Sequence, residues 1–211
     1  MLSIQELQQS ILAAVPGARV EVATNDSPCA QHSLQIDHAH AVEVARFLRN
    51  NPSLKLDYVA NMAGVDWPDA VTKTKVRKTV EKDGQSVEVE EILETPRPGF
   101  LEAVYHLYSM ELKHGPVILR LRTRNRSDEV SLPSLTPVWR GVEFQEREAF
   151  DLYGIQFTGH PDLRRILMWE GFADHPMRKD YVEPDDYEYE PTPHDEVVEK
   201  ARKHHGSEAG A

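Results

Sequence analysis

Residues 146–181 read EREAFDLYGIQFTGHPDLRRILMWEGFADHPMRKDY, and this stretch decides how the rest of the chain is understood. It sets Glu146, Arg147, Glu148, Asp151, Arg164, Arg165, Arg178, Lys179 and Asp180 among apolar residues, a density of both charge signs that a solvated loop does not need. With Thr136 as N-cap and Pro137 in the first helical position, Val138 to Tyr153 reads as a helix that stops at Gly154 as its C′ residue. On that helix Arg147, Glu148 and Asp151 fall on one side and Glu146 on another, while Arg147 and Asp151 stand one turn apart and can pair. Acid–base catalysis by two carboxylates needs both to converge on one substrate, so the divergence favours an ion network on the helix face.

Ile155-Gln156-Phe157 alternates as a short strand does, and Thr158-Gly159-His160-Pro161 turns the chain. Asp162 reads as the N-cap of a short turn with Leu163, Ile166 and Leu167 on one side and Arg164 and Arg165 on the other. A weak echo follows, since His160-Pro161 leads to Arg164-Arg165 and His175-Pro176 leads to Arg178-Lys179-Asp180. Guanidinium forks beside apolar anchors suit carboxylate pairing at a desolvated interface, so the composition fits a docking surface better than a catalytic cleft.

The run Glu146-Arg147-Glu148, then Phe150-Asp151-Leu152-Tyr153-Gly154, then Gly159-His160-Pro161-Asp162-Leu163-Arg164-Arg165-Ile166-Leu167, and finally His175-Pro176-Met177-Arg178-Lys179-Asp180-Tyr181 resembles the signature of one family. This is the thirty-kilodalton subunit family of respiratory complex I, the C-type subunit of the bacterial NADH:quinone oxidoreductase. Asp174, where that family usually has glycine, and Val182, where it usually has proline, depart from the pattern. The resemblance implies a non-catalytic subunit of the hydrophilic arm on the cytoplasmic side of the inner membrane. Its partners would be chiefly the forty-nine-kilodalton, D-type subunit that helps form the quinone site, with B- and I-type neighbours. FMN, Fe–S clusters and quinone would belong to other subunits, and this chain would hold no cofactor, metal or catalytic residue. In that setting Glu146, Arg147, Glu148 and Asp151 would fix the helix, and Arg164, Arg165, Arg178 and Lys179 would dock partners. The alternatives are the equivalent subunit of a related hydrogenase or other quinone reductase and, from a different class, a free-standing hydrolase using Glu146, Glu148 and His160.

The remainder of the chain is compatible with this reading. A length of 211 residues with 40% hydrophobic and 28% charged supports one sizeable core with length to spare. A formal net charge of −11 argues against nucleic acid or anionic lipid as the main partner. The single cysteine, Cys29, excludes an internal disulfide and cannot hold an iron–sulfur cluster alone. No apolar run approaches the roughly 18 residues of a membrane span. At the N-terminus, Ser3 and Glu6 form a capping box with Leu2 and Leu7 as staple, which speaks against a signal or transit peptide.

The fold expected is α+β, a single small domain with a mixed or antiparallel sheet flanked by helices and an extended C-terminal tail. Strands are expected at Arg19 to Ala23 and His32 to Ile36, followed by a helix capped by Asp37 with an apolar face of Val42, Val44, Ala45, Phe47 and Leu48. His38 and His40, two apart, point away from each other on that helix, which disfavours a zinc site. Leu54 to Val65 is open between strand and short helix. From Val71 to Glu94 a basic arm and an acidic arm flank Asp83-Gly84 as a charged hairpin insertion over about 71–95. Phe100 to Met110 and Val117 to Thr123 are core strands. Leu119 and Leu121 alternate with Arg120, Arg122 and Arg124 to give a basic face expected to be solvated. The organisation expected is therefore a 1–135 core, a 136–181 helix and docking segment, and a 182–211 extended or disordered tail. Val197 to Lys203 is a marginal helix there, and His194, Asp195, His204 and His205 form a solvated end rather than a metal site.

Overall fold

The computed structural model describes residues 2–82, 85–127 and 130–182. The chain divides into two compact units, Met1–Lys179 and Asp180–Ala211, and of the second only residues 180–182 are described. The expectations for the 183–211 tail, including its helix and its histidines, lie outside the described residues, as does the Asp83-Gly84 turn.

Helix α1 (Ile4–Ala14) starts at the expected capping box: the Ser3 hydroxyl accepts the Glu6 amide at 3.3 Å and the Glu6 carboxylate accepts the Ser3 amide at 2.8 Å. Its buried side chains, Leu7 and Ile11, are one turn apart. Strands β1 (Val20–Ala23) and β2 (Ser33–Ile36) pair antiparallel and lead to helix α2 (Ala41–Asn50). Asp37 does not sit at the N-cap position, which His40 occupies. It instead accepts the His40 amide at 3.1 Å and the Arg19 amide at 2.6 Å, tying the helix start to the strand beside it. Strand β3 (Tyr58–Trp67) resolves the segment that periodicity leaves open, with Leu54 and Leu56 buried in the loop before it.

Strands β4 (Ala70–Lys82) and β5 (Gln85–Arg97) form a separate two-stranded antiparallel sheet of 13-residue arms, with Lys73 paired to Glu94 at 2.8 Å. Strands β6 (Phe100–Ser109) and β7 (His114–Arg122) complete a five-stranded sheet in the order β1-β2-β7-β6-β3. Within it only the β2–β7 pair is parallel, so the sheet is mixed and the fold is α+β. Alternation fixes its two faces. Leu101, Ala103, Tyr105 and Leu107 of β6, with Val117, Leu119 and Leu121 of β7, enter one core with Leu7, Ile11, Val44, Leu48 and Ala149 from the helices.

The last helix differs most from expectation. Helix α3 spans Glu143–Tyr153, preceded by a 3-10 turn at Arg140–Val142, and does not begin at Val138. Trp139 is the reason: it is buried, donates its indole N–H to the Leu56 carbonyl at 2.7 Å, and takes an extended backbone that a helix cannot pass through. Thr136 and Pro137 therefore form a turn, and the Thr136 hydroxyl donates to Glu146. The C-terminus is as expected, with Gly154 left-handed at φ 77°. Strand β9 (Gln156–Thr158) then pairs in parallel with β8 (Ser131–Pro133).

Candidate docking site

Helix α3 packs on β3, at one edge of the sheet. Its polar residues act on the chain that follows. Arg147 and Asp151, expected to pair, face the same segment instead. The Arg147 guanidinium donates to the carbonyls of Arg164 and Arg165, both at 3.1 Å, and lies over the Phe144 ring. Asp151 is fully buried, and one of its oxygens accepts the amides of Ile166, Leu167 and Met168 at 2.9, 2.7 and 2.9 Å. Its other oxygen takes the Arg165 guanidinium at 2.7 Å. Burial pushes the Asp151 carboxyl up, but the three amides and Arg165 outweigh it and hold the group below the ordinary aspartate range.

Because Asp151 consumes the amides of 166–168, no helical turn forms after Asp162, contrary to expectation. Asp162 instead accepts from the Arg164 side chain at 2.9 Å. Arg165 is mostly buried. Besides Asp151 it donates to the Asp174 carbonyl at 3.2 Å and lies 5.6 Å from the centre of the Phe172 ring. It is a brace between the two His-Pro corners.

Those corners do separate work. At the first, the His160 ring bonds the Glu143 carbonyl at 3.0 Å and accepts the Asp162 amide at 3.1 Å, while Pro161 is exposed. At the second, His175 bonds the Asp151 carbonyl at 3.0 Å, the Met177 amide donates to the Leu152 carbonyl at 3.1 Å, and Arg178 donates to the Tyr153 carbonyl at 2.8 Å. The last carbonyls of α3, which a helix leaves without internal partners, are thus closed by the second corner. Gly154 lets this happen: a Cβ there would lie within 2.6 Å of both the His175 ring and the Arg178 guanidinium. The Lys179 amide donates to Asp66 at 2.7 Å, and its ammonium lies 5.9 Å from the centre of the Trp67 ring.

Glu146 is not part of an ion network. It is fully buried, and its carboxyl receives the Tyr105 hydroxyl at 3.1 Å, the Ser134 hydroxyl at 2.6 Å, the Leu135 amide at 2.8 Å and the Thr136 hydroxyl at 3.1 Å. Burial nevertheless dominates and pushes the Glu146 carboxyl up from its ordinary value. The hydrolase triad fails on this geometry: Glu146 is sealed in the core, Glu148 is exposed, and His160 is engaged by backbone.

Three contacts escape a reading of the sequence. Glu102, fully buried, is held by Arg120, by Arg122 at 2.7 Å and by the Trp67 indole at 3.0 Å, so the basic sheet face expected to be solvated is largely self-paired. Asp66 accepts a two-pronged guanidinium contact from Arg126 at 2.6 and 2.7 Å. Burial raises the Asp66 carboxyl, and Arg126 and the Lys179 amide more than reverse that. Gly64 lets the Tyr153 ring rest on β3, where a Cβ would come within 2.5 Å of it. Each pairs residues about 20 to 90 positions apart, beyond any local pattern.

What remains outward along α3 and the segment after it is apolar groups among charges of both signs, Glu148, Asp162, Glu170 and Asp174 being exposed as well. Phe144 is 59% exposed, Leu167 62% and Met177 53%, and the Arg164 side chain is 71% exposed. Among the described residues, no helix is long and apolar enough to cross a membrane.

Residues 34–187 match the family described as respiratory-chain NADH dehydrogenase, 30 Kd subunit. The second NADH-quinone oxidoreductase C-type subunit of Rhizobium etli is 42% identical over 142 residues, which cover 66% of this chain and 58% of that protein. The C-type subunit of Rhodopseudomonas palustris is 34% identical over 182 residues, covering 86% of this chain and 74% of that one. The chain therefore spans only part of the length of the curated relatives it matches. A chain from the archaeal membrane-bound sulfane sulfur reductase complex has the same fold, with a TM-score of 0.53 at 18% identity over 84% of this chain and 85% of that chain.

Proposed function

Since the chain belongs to the 30 Kd subunit family of the respiratory-chain NADH dehydrogenase, we propose that it is a non-catalytic docking subunit of a proton-pumping NADH:quinone oxidoreductase. In this reading electrons pass from NADH through FMN and Fe–S centres in other subunits to quinone. The chain holds none of these groups and sits on the cytoplasmic side of the inner membrane through its partners, chiefly the D-type subunit of the quinone site with B- and I-type neighbours. Its contribution is a rigid surface that assembly requires.

The observation that carries this reading is the way α3 fixes an irregular segment. Arg147 and Asp151 engage five consecutive residues of backbone, 164–168, and the second corner closes the end of the helix. Such a loop is already ordered before it meets a partner, so little conformational entropy is lost on docking. Phe144, Leu167 and Met177 are left outward as apolar anchors, beside the exposed Arg164 guanidinium paired with Asp162.

The test is to tag the chain at native expression level and purify it from its own membranes in mild detergent. The preparation is then assayed for flavin, iron and NADH-driven quinone reduction. Co-purification of all three with further polypeptides is expected, with none of them in the chain expressed alone. Recovery of the lone protein would overturn the proposal.

A further inference from the structure

A cleft of about 600 Å³ opens at the other side of the sheet from α3, where the start of β1 and the ends of β2 and β7 come together. The strands β1, β2 and β7 lie two to four places from β3 in the sheet, or about 10–19 Å at ~4.8 Å per strand. The parallel register of β2 and β7 brings Asp37 and Arg122 side by side just past Gln35↔Arg120, and the chains leaving both strands form the walls. His38 closes the floor by bonding the Arg122 carbonyl at 2.5 Å.

The charges lining the cleft are unequal. The N-terminus of α2 is already occupied by Asp37, whose oxygens accept the Arg19 amide, the His40 amide and the His40 ring, so neither that carboxylate nor the helix dipole is available. The Arg122 guanidinium is held by Glu102. Arg19 and Arg124 are left, both exposed and both without a side-chain partner among the described residues, facing a single uncommitted carboxylate, Glu21. In a chain of net charge −11, two free guanidinium groups at one concave place are a local reversal of sign.

We propose that this cleft binds a small molecule bearing two phosphate groups, with Arg19 and Arg124 each taking one group through a forked, charge-assisted contact. Two phosphate groups rather than one follow from the number of free guanidinium groups lining the cleft, each of which can fork onto one anionic group. The site is separate from the docking segment and does not depend on the proposed function.

Titration of the full chain with inorganic pyrophosphate at constant ionic strength, followed by calorimetry, tests this. Saturable binding with Kd of about 1 mM or tighter is expected, with orthophosphate at least tenfold weaker. Arg19→Gln with Arg124→Gln should weaken pyrophosphate binding at least tenfold, whereas Arg46→Gln, an exposed arginine on α2, should leave it unchanged. Because Arg19 and Arg124 make no side-chain contacts among the described residues, the double variant should keep the parent's circular dichroism and Tm. Absence of saturable binding, equal binding by the double variant, or equal affinity for orthophosphate would each overturn the proposal.

Discussion

Arg147 and Asp151 stand one turn apart on α3 and divide the backbone of 164–168 between them: Arg147 takes the carbonyls of 164 and 165, and Asp151 takes the amides of 166, 167 and 168. Opposite charges at this spacing ordinarily pair with each other for a few tenths of a kcal/mol. Here each satisfies groups that would otherwise be without partners, and a buried polar group left unsatisfied costs about 1–3 kcal/mol.

Asp151→Ala strips three amides and the Arg165 guanidinium of their acceptor at once. A loss of about 3–5 kcal/mol is expected, the range for breaking a buried charged pair from one side. Hydrogen exchange should show fast amides at 166–168 even where the five-stranded sheet stays protected. An unchanged exchange pattern in a folded Asp151→Ala variant would show that the loop is held by something else.

The acid limb of stability should follow from Asp151 and Asp66, whose carboxyls titrate lower in the folded protein than in the unfolded chain. Their stabilisation is complete above the ordinary aspartate value and is lost as pH falls through the folded values. Glu146 has the opposite sign. Its folded value is raised, so its contribution is fully present below the ordinary glutamate value and is lost as pH rises through the folded one. Glu146→Gln keeps an acceptor for the surrounding donors and removes the titration. The Tm difference between this variant and the parent should therefore move in the variant's favour as pH rises from the ordinary glutamate value, about 4.3, towards neutrality. A difference independent of pH would show that Glu146 does not titrate abnormally.

Gly154→Ala should destabilise by more than the ~1–2 kcal/mol of a left-handed alanine, because the new methyl also meets His175 and Arg178. Combining it with His175→Ala removes one of the two clashes and should recover part of the loss. Additive losses in denaturant melts would mean that crowding at Gly154 is not the cause.

How far the fold is legible in the sequence depends on the range of the contact. The capping box of Ser3 and Glu6, the stop at Gly154, the alternation of β6 and β7 and the arms of the hairpin each rest on residues close in sequence, and each forms as expected. The start of α3 is not legible in this way, because Pro137 carries a local helix-start signal while the Trp139 indole bonds a carbonyl at Leu56, far away in sequence. The Arg147–Asp151 relationship is hidden for the same reason. Charge spacing on a helix is visible, but the competing backbone at 164–168 becomes a partner only after the chain has turned at His160. The four donors around Glu146 come from β6 and the 134–136 turn, and nothing in the spacing of Glu146 and Glu148 announces them.

The β4–β5 hairpin is a sheet of its own, closed at its base by the Gly99 amide donating to Asp69 at 2.6 Å. Replacing residues 71–96 by a short Gly-Ser turn should leave Tm within a few degrees of the parent, since exposed pairs such as Lys73–Glu94 contribute only about 0.2–1 kcal/mol. A collapse in Tm would show that the hairpin supports the core.

Arg164 and Arg165 are neighbours with opposite surroundings, and they separate docking from folding. The Arg164 side chain is 71% exposed and bonds only Asp162 among the described residues, whereas the Arg165 side chain is 16% exposed and bridges Asp151 to Asp174. Arg164→Ala should change the isolated chain's stability by less than about 0.5 kcal/mol, as exposed substitutions usually do. If its guanidinium meets a desolvated carboxylate in the complex, the same change costs docking about 2–5 kcal/mol and lowers the amount of assembled enzyme. Arg165→Ala should lower assembly by a different route, through a less stable chain that gives a lower Tm even in isolation. In both variants the complex that does assemble should turn over NADH at the parental rate, because neither residue touches a redox centre in this reading. Quantifying assembled complex on native gels, with turnover per assembled complex and the Tm of the isolated chain, distinguishes the cases. Normal assembly by Arg164→Ala would remove Arg164 from the docking surface and leave Phe144, Leu167 and Met177 to carry it. Selective loss of turnover in fully assembled complexes would count against a purely structural role for the segment.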